Sequence, residues 1–360
     1  MSSLFPFGFP GPTAFYLFLY VATLVLHWVF MNYVLAGSGY VVVVGLFPTN
    51  TDRPDPIAGI LREWLPFMLS GAITAGIAPL LFLQILYQYE FYSANLLLFH
   101  RWMAIVPTLI AGFYLLYVVR SARFSGWPPV TRMPIAIGAC ACFVFVAWSW
   151  TENHLLSLNE SVWTDLYGSN RIIYRSKLVV PRLAMWCSMA VAPMATIVGW
   201  QLWYAARGNA AATTSNTRRV GIVALAGLVL FVFAAGIYGW VLPPAERQVF
   251  GQPAAWPYLL LAAFALALQA TSWIAQLSRG RLSAGWLTLA SLGVVGAHAG
   301  VAVVRECLRI AALDFAGLYP RHAEASQNGG LPVFLFFFVV TSALIGLSLR
   351  IVSRGWQEDP

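Results

Sequence analysis

Long apolar stretches alternate with short polar ones along the chain, and the first stretch, 14–47, holds no Lys, Arg, Asp or Glu. A helix rising 1.5 Å per residue needs about 20 apolar residues to cross a bilayer core. Uncharged windows of this kind recur at 64–89, 102–119, 133–150, 183–206, 220–242, 255–278, 282–304 and 331–349. Together they predict an all-α, polytopic membrane protein of about nine transmembrane helices in one bundle.

Composition points the same way. Apolar residues make up 60% of the 360 positions and charged residues 9%, against about 25% charged in a typical soluble domain. Mean hydropathy is +0.73. No internal repeat or low-complexity segment divides the chain, so residues 1–360 are expected to form a single transmembrane domain in contact with the lipid bilayer. The net charge of +8 comes from basic residues scattered through short connections, which excludes a phosphate-tracking face and hence nucleic acid. The uncharged start, 1–13, lacks the basic region of a signal peptide and no A-x-A site follows, so the first helix is expected to be retained.

Nine spans place the two ends of the chain on opposite sides. With the N-terminus outside and the C-terminus inside, the inner segments hold 12 Lys and Arg and the outer ones 9. Most of the outer residues fall in or beside the two longest connections, which weigh less in the positive-inside rule. The outer side then carries the N-terminal arm and two loops, 151–182 and 305–330. Loops of that length commonly carry function, so a soluble partner is expected there.

Candidate chemistry is sparse. Cys140, Cys142, Cys187 and Cys307 form no C-x-x-C or C-x-x-C-H, which excludes a covalently attached c-type haem and reads as small buried hydrophobes. The carboxylates lie in loops or near helix ends, a pattern that disfavours proton pumping and ion-coupled transport. There is no nucleophile motif, P-loop or dinucleotide fingerprint.

Histidines stand out against this background. His27 lies within the first apolar window and His298 within the eighth, whereas His100, His154 and His322 fall at helix ends or loops. An ionisable side chain at bilayer depth suggests function, and imidazole is the usual axial ligand of haem iron. His27, His298 or both are therefore candidate ligands of a b-type haem, with one haem shared by the two as one arrangement. The other reading of His298, in Gly296-Ala297-His298-Ala299-Gly300, is a Gly-xxx-Gly helix contact with a hydrogen-bonded histidine. Arg305 and Arg309, one turn apart at the outer end of that helix, would pair with haem propionates or a quinone head group. Interfacial snorkelling beside Glu306 is the alternative.

Three segments together resemble subunit I of the cytochrome bd quinol oxidases and the cytochrome bd-like membrane subunits that accompany c-type cytochromes. They are Leu26-His27-Trp28-Val29-Phe30-Met31-Asn32-Tyr33-Val34-Leu35-Ala36-Gly37; Thr74-Ala75-Gly76-Ile77-Ala78-Pro79-Leu80-Leu81-Phe82-Leu83-Gln84, continuing to Tyr89-Glu90-Phe91-Tyr92; and Ala147-Trp148-Ser149-Trp150-Thr151-Glu152-Asn153-His154. The resemblance spans the first 165 residues and implies a haem-ligating role for His27. Where that family offers a second ligating histidine, this chain reads Arg182-Leu183-Ala184-Met185-Trp186-Cys187, and oxygen reduction is not expected. What the resemblance implies is a membrane subunit of a quinol:cytochrome c-type oxidoreductase in the bacterial inner membrane. It would relay electrons between quinol and a periplasmic c-type cytochrome through haem b, alongside other membrane subunits. The alternative expectation is a haem-free anchor for such a complex.

Overall fold

The computed structural model describes residues 3–46, 55–169, 173–206, 213–328 and 332–340, with single positions at 343, 347 and 350. The protein is all-α, with no β-sheet among the described residues. Its helices are α1 (Gly11–Leu46), α2 (Pro56–Leu86), α3 (Gln88–Leu97), α4 (Phe99–Arg120), α5 (Ala122–Gly126), α6 (Pro129–Ser157) and α7 (Trp163–Gly168). They continue as α8 (Val179–Met189), α9 (Val191–Ala205), α10 (Thr213–Val241), α11 (Pro244–Arg247), α12 (Trp256–Arg279), α13 (Ala284–Ala311) and α14 (Tyr319–Gln327).

Eight segments among the described residues are long and apolar enough to span a bilayer: α1, α2, α4, α6, α8 with α9, α10, α12 and α13. The protein is thus a multi-pass membrane protein. The ninth expected window, 331–349, is helical over 332–340, and the rest of it lies outside the described residues.

Local sequence explains several boundaries. Helix α2 begins eight residues before its uncharged window because Asp55 caps it, accepting from the Ala58 amide at 3.0 Å, and Pro56 occupies the first turn. The span 179–205 is broken at Ala190, three residues before Pro193, whose ring cannot continue the backbone ladder. Helices α6 and α13 run on past their apolar windows, to Ser157 and Ala311, so the two long connections are shorter than the sequence suggests and are themselves partly helical.

Helix α1 packs on α2, α6, α9 and α13, while α4 pairs with α6, α10 with α8 and α9, and α12 with α13. Lipid supplies no hydrophobic force between helices, so such contacts depend on close packing and small residues. At Gly300 the backbones approach so closely that a Cβ would lie 2.5 Å from the Tyr258 carbonyl oxygen of α12. Two large apolar clusters fill the bundle, one around Tyr16, Phe82 and Val303, the other around Tyr33, Leu61 and Trp273.

The clusters correspond to two ends. At one, Asp55 pairs with Arg219 at 3.0 Å and accepts from Tyr40, tying α1, α2 and α10 together. At the other, Arg182, Arg305 and Arg309 gather with the turns that follow α2, α6 and α13. The latter is called the arginine end below.

Candidate functional site

A cavity of about 520 Å³ lies against α1, bounded by α2, α3, α4, α6, α8 and α13. That volume is within the range of small-molecule and cofactor sites, about 300–1,000 Å³. On α1 its wall follows one helical face, Tyr20, Leu24, His27 and Met31. Exposed Ile73 and Ile77 on α2 and Val106 on α4 also line it, so the cavity opens sideways toward lipid between those helices.

His27 has one ring nitrogen bonded and the other free among the described residues. Its Nδ1 lies 2.9 Å from the Ala72 carbonyl oxygen of α2. A carbonyl only accepts, so Nδ1 carries the hydrogen and Nε2 keeps its lone pair. Among the described residues nothing bonds Nε2, and the ring borders the cavity. Gly76 makes room for it: a Cβ there would come 3.0 Å from the imidazole Cε1 and Nδ1.

His298 is placed differently. Its Nδ1 donates to Val294 O at 2.7 Å, and its Nε2 lies 2.7 Å from Asn32 Nδ2, so both nitrogens are committed to the protein. It is 2% exposed and borders a separate void of about 10 Å³ beside α9, α10 and α12, room for about one water. The structure therefore does not bring His27 and His298 to one cavity. Gly296 and Gly300 serve the α12 contact, where Cβ atoms would meet Ala265 and Tyr258. The Gly-xxx-Gly reading accounts for this segment, because α1 turns His27 and Asn32 toward different neighbours.

Arg305 and Arg309 do line the cavity, and both are tied to a carboxylate beneath its surface. Glu306, fully buried, pairs with Arg305 at 3.1 Å and Arg309 at 3.3 Å and accepts from Tyr87 at 3.0 Å. Tyr20 is hydrogen-bonded to both arginines. Arg309 also lies over the Tyr87 ring, 4.6 Å from its centroid.

Sequence reasoning missed four further groups here. Arg182 borders the same cavity, is 4% exposed and donates to Tyr238 at 2.7 Å. His154, expected in a loop, is buried in the last turns of α6, with Nδ1 accepting from Arg309. Asn153 donates to Asn95 at 2.6 Å. Glu90 on α3 reaches the cavity as well. All four lie within segments quoted above, but the sequence alone assigned them no role, since the partners of Arg182, Asn153 and His154 are far away in sequence and Glu90 reaches the cavity only through the fold.

Electrostatically, three guanidinium groups face the cavity while Glu306 is bonded to two of them. A positive surplus remains at the arginine end, suited to carboxylate or another anionic oxygen. Tyr87, just beyond α2, has its phenol held far in the protonated direction by burial and by Glu306. Among the described residues no three His, Cys, Asp or Glu converge as a metal cage.

Comparison with known proteins finds no matching family model and no matching curated sequence.

Proposed function

We propose that the protein is the membrane subunit of a respiratory electron-transfer complex, diverged from the cytochrome bd-like subunits, that relays electrons between membrane quinol and a periplasmic c-type cytochrome. The observation that carries this reading is the bare Nε2 of His27 inside a cavity whose far end holds surplus guanidinium charge.

These residues fit a b-type haem. Ala72 fixes the tautomer and ring plane of His27, as the outer hydrogen bond of a ligating imidazole does. Tyr20, which touches both Arg305 and Arg309, lies seven residues before His27 on α1, about 10 Å along the helix. That separation suits a macrocycle ligated by His27 with its propionates at Arg305, Arg309 and Arg182. Bound there, haem would supply one-electron redox chemistry. The apolar walls exclude water, and the opening at Ile73, Ile77 and Val106 gives quinol a route from the bilayer. The arginine end, placed outside, would present the turns after α6 and α13 to the c-type cytochrome, with the whole chain in a bacterial inner membrane.

A pyridine haemochrome assay on the purified chain tests this reading. Wild type is expected to carry one haem, His27→Ala to lose it and His298→Ala to keep it. A wild type without haem, or His27→Ala with full haem content, overturns it. One observation favours the haem-free anchor as a second reading: His154 and His298 are both bonded within the protein, so neither offers a free imidazole opposite His27.

A further inference from the structure

The two ends of the bundle differ in how their cations are neutralised. At the arginine end Glu306 is shared by Arg305 and Arg309. At the opposite end the described carboxylates are Asp55 and Glu63, and Asp55 is taken by Arg219, Tyr40 and the Ala58 amide. Arg218, Arg279 and Arg281 lie at that same end and are all exposed, and among the described residues no carboxylate pairs with any of them.

The fold brings these three arginines together. Arg279 and Arg281 flank Gly280, the left-handed residue (φ 62°) that ends α12 and turns the chain toward α13. A Cβ on Gly280 would lie 3.3 Å from Thr214 Cγ2, and one on Gly221 would lie 2.8 Å from the Leu277 side chain, so the first turns of α10 run along the last turn of α12. Thr214, Arg218 and Gly221 are spaced i, i+4 and i+7, which places Arg218 on the face of α10 that meets 277–280. Arg219, the next residue, is turned by about 100° and reaches Asp55 instead. Helix α12 has 24 residues, about 36 Å of rise against a hydrocarbon core of about 30 Å. Its last residue, Arg279, therefore stands at head-group depth, beside Trp286 in the first turn of α13. The Arg279 guanidinium lies over the Trp286 ring, 5.0 Å from its centroid, and this contact holds the planar fork while leaving its N–H donors available.

We propose that Arg218, Arg279 and Arg281 form a head-group site for an anionic phospholipid. Its phosphodiester oxygens accept from the guanidinium groups, whose fork geometry matches two oxygens on one phosphorus. Its acyl chains lie against Ile222 of α10 and Ile274 of α12, both exposed and nearer the middle of their helices. Three cations gathered at one turn repel one another, and a net negative head group relieves that repulsion. A zwitterionic head group carries its own ammonium and does so far less. Each arginine beside an anionic lipid contributes about fivefold in affinity. The site shares no residue with the 520 Å³ cavity, so it stands apart from the haem and quinol readings.

The test is native mass spectrometry of the full chain in detergent, titrated with phosphatidylglycerol or with phosphatidylcholine of identical acyl chains. Wild type is expected to hold one phosphatidylglycerol at least about tenfold more tightly than it holds phosphatidylcholine. The triple variant Arg218→Gln, Arg279→Gln, Arg281→Gln is expected to lose that preference, and the matching triple Lys variant to keep part of it. Arg120→Gln with Arg123→Gln alters two exposed arginines at the same end, around the start of α5, and is expected to leave the preference intact. Equal affinity for the two lipids in wild type, or an unchanged preference in the triple Gln variant, overturns the inference. An equal loss in the Arg120 and Arg123 variant overturns it too, because the effect would then be diffuse surface charge. Inorganic phosphate at millimolar concentration is expected not to displace the lipid, and displacement overturns the choice of a lipid over a free anion.

Discussion

His27 and Ala72 are joined across the α1–α2 interface by a hydrogen bond of 2.9 Å from imidazole Nδ1 to a main-chain carbonyl. Because the acceptor is backbone, no side-chain change at position 72 can remove it directly. The bond fixes which nitrogen is protonated and aims the other at the cavity. His298, on α13, is locked in the same tautomer by Val294, yet its second nitrogen is spent on Asn32. The same side chain in the same kind of helix is thus available in one place and consumed in the other.

The space behind the His27 ring gives the first prediction. A Cβ at Gly76 would meet the imidazole at 3.0 Å, so Gly76→Val forces the ring to move and breaks its alignment with Ala72. Loss of such an orienting contact commonly costs about 10–100-fold in metal affinity. We expect Gly76→Val to lose haem at least about tenfold more readily than wild type, followed by Soret absorbance during apomyoglobin competition. Gly59→Val, where nothing lies within 4 Å of the added Cβ, should behave as wild type.

Glu306 gives the second. Its carboxylate is fully buried and is shared by two guanidinium groups, so removing its charge takes away the one counter-ion that both contact. Breaking a buried pair from one side costs about 3–5 kcal/mol, more than a surface pair is worth. Glu306→Gln should therefore lower the thermal midpoint in detergent strongly. The double variant Glu306→Gln with Arg309→Met should recover part of that loss, because the stranded cation goes with the anion. A double variant less stable than the sum of the single changes contradicts this account.

Most of the architecture was legible because apolar length is a local property. The windows 14–47, 220–242 and 255–278 reappear as α1, α10 and α12 with modest shifts at their ends. The window ending at 150 stopped short because Thr151-Glu152-Asn153-His154 is polar. In the bundle those residues are buried, met by Trp148, Arg101, Asn95 and Arg309. His154 and Arg309 stand 155 residues apart, and no window along one sequence can pair them. His27 was visible as an isolated ionisable group in an apolar run. Glu90 was not, since its burial depends on α3 folding back beside the cavity, and nothing in Tyr89-Glu90-Phe91 distinguishes it from a surface carboxylate. His298 shows the reverse case, an equally conspicuous histidine whose partner Asn32 lies 266 positions away.

His322 supplies a pH-dependent prediction. Fully buried on α14, it receives a hydrogen bond from the Thr13 hydroxyl at Nδ1, 2.9 Å away, and donates from Nε2 to the Leu86 carbonyl at 3.1 Å. The Leu86 carbonyl places a hydrogen on Nε2, and burial favours the neutral ring, in which Nδ1 accepts from Thr13. Burial pushes its pKa below the ordinary 6.5, while the bond to Leu86 pulls weakly the other way. The unfolded chain therefore binds more protons than the folded one near this group, and stability rises with pH. Its contribution is fully present above 6.5 and is lost as pH falls through the lower folded value. The expected result is faster amide exchange in α14 and at the start of α1 as pH falls below about 6, after correction for intrinsic exchange rates. His322→Asn, which does not titrate, should flatten that pH dependence; an unchanged slope in the variant would assign the effect to another group.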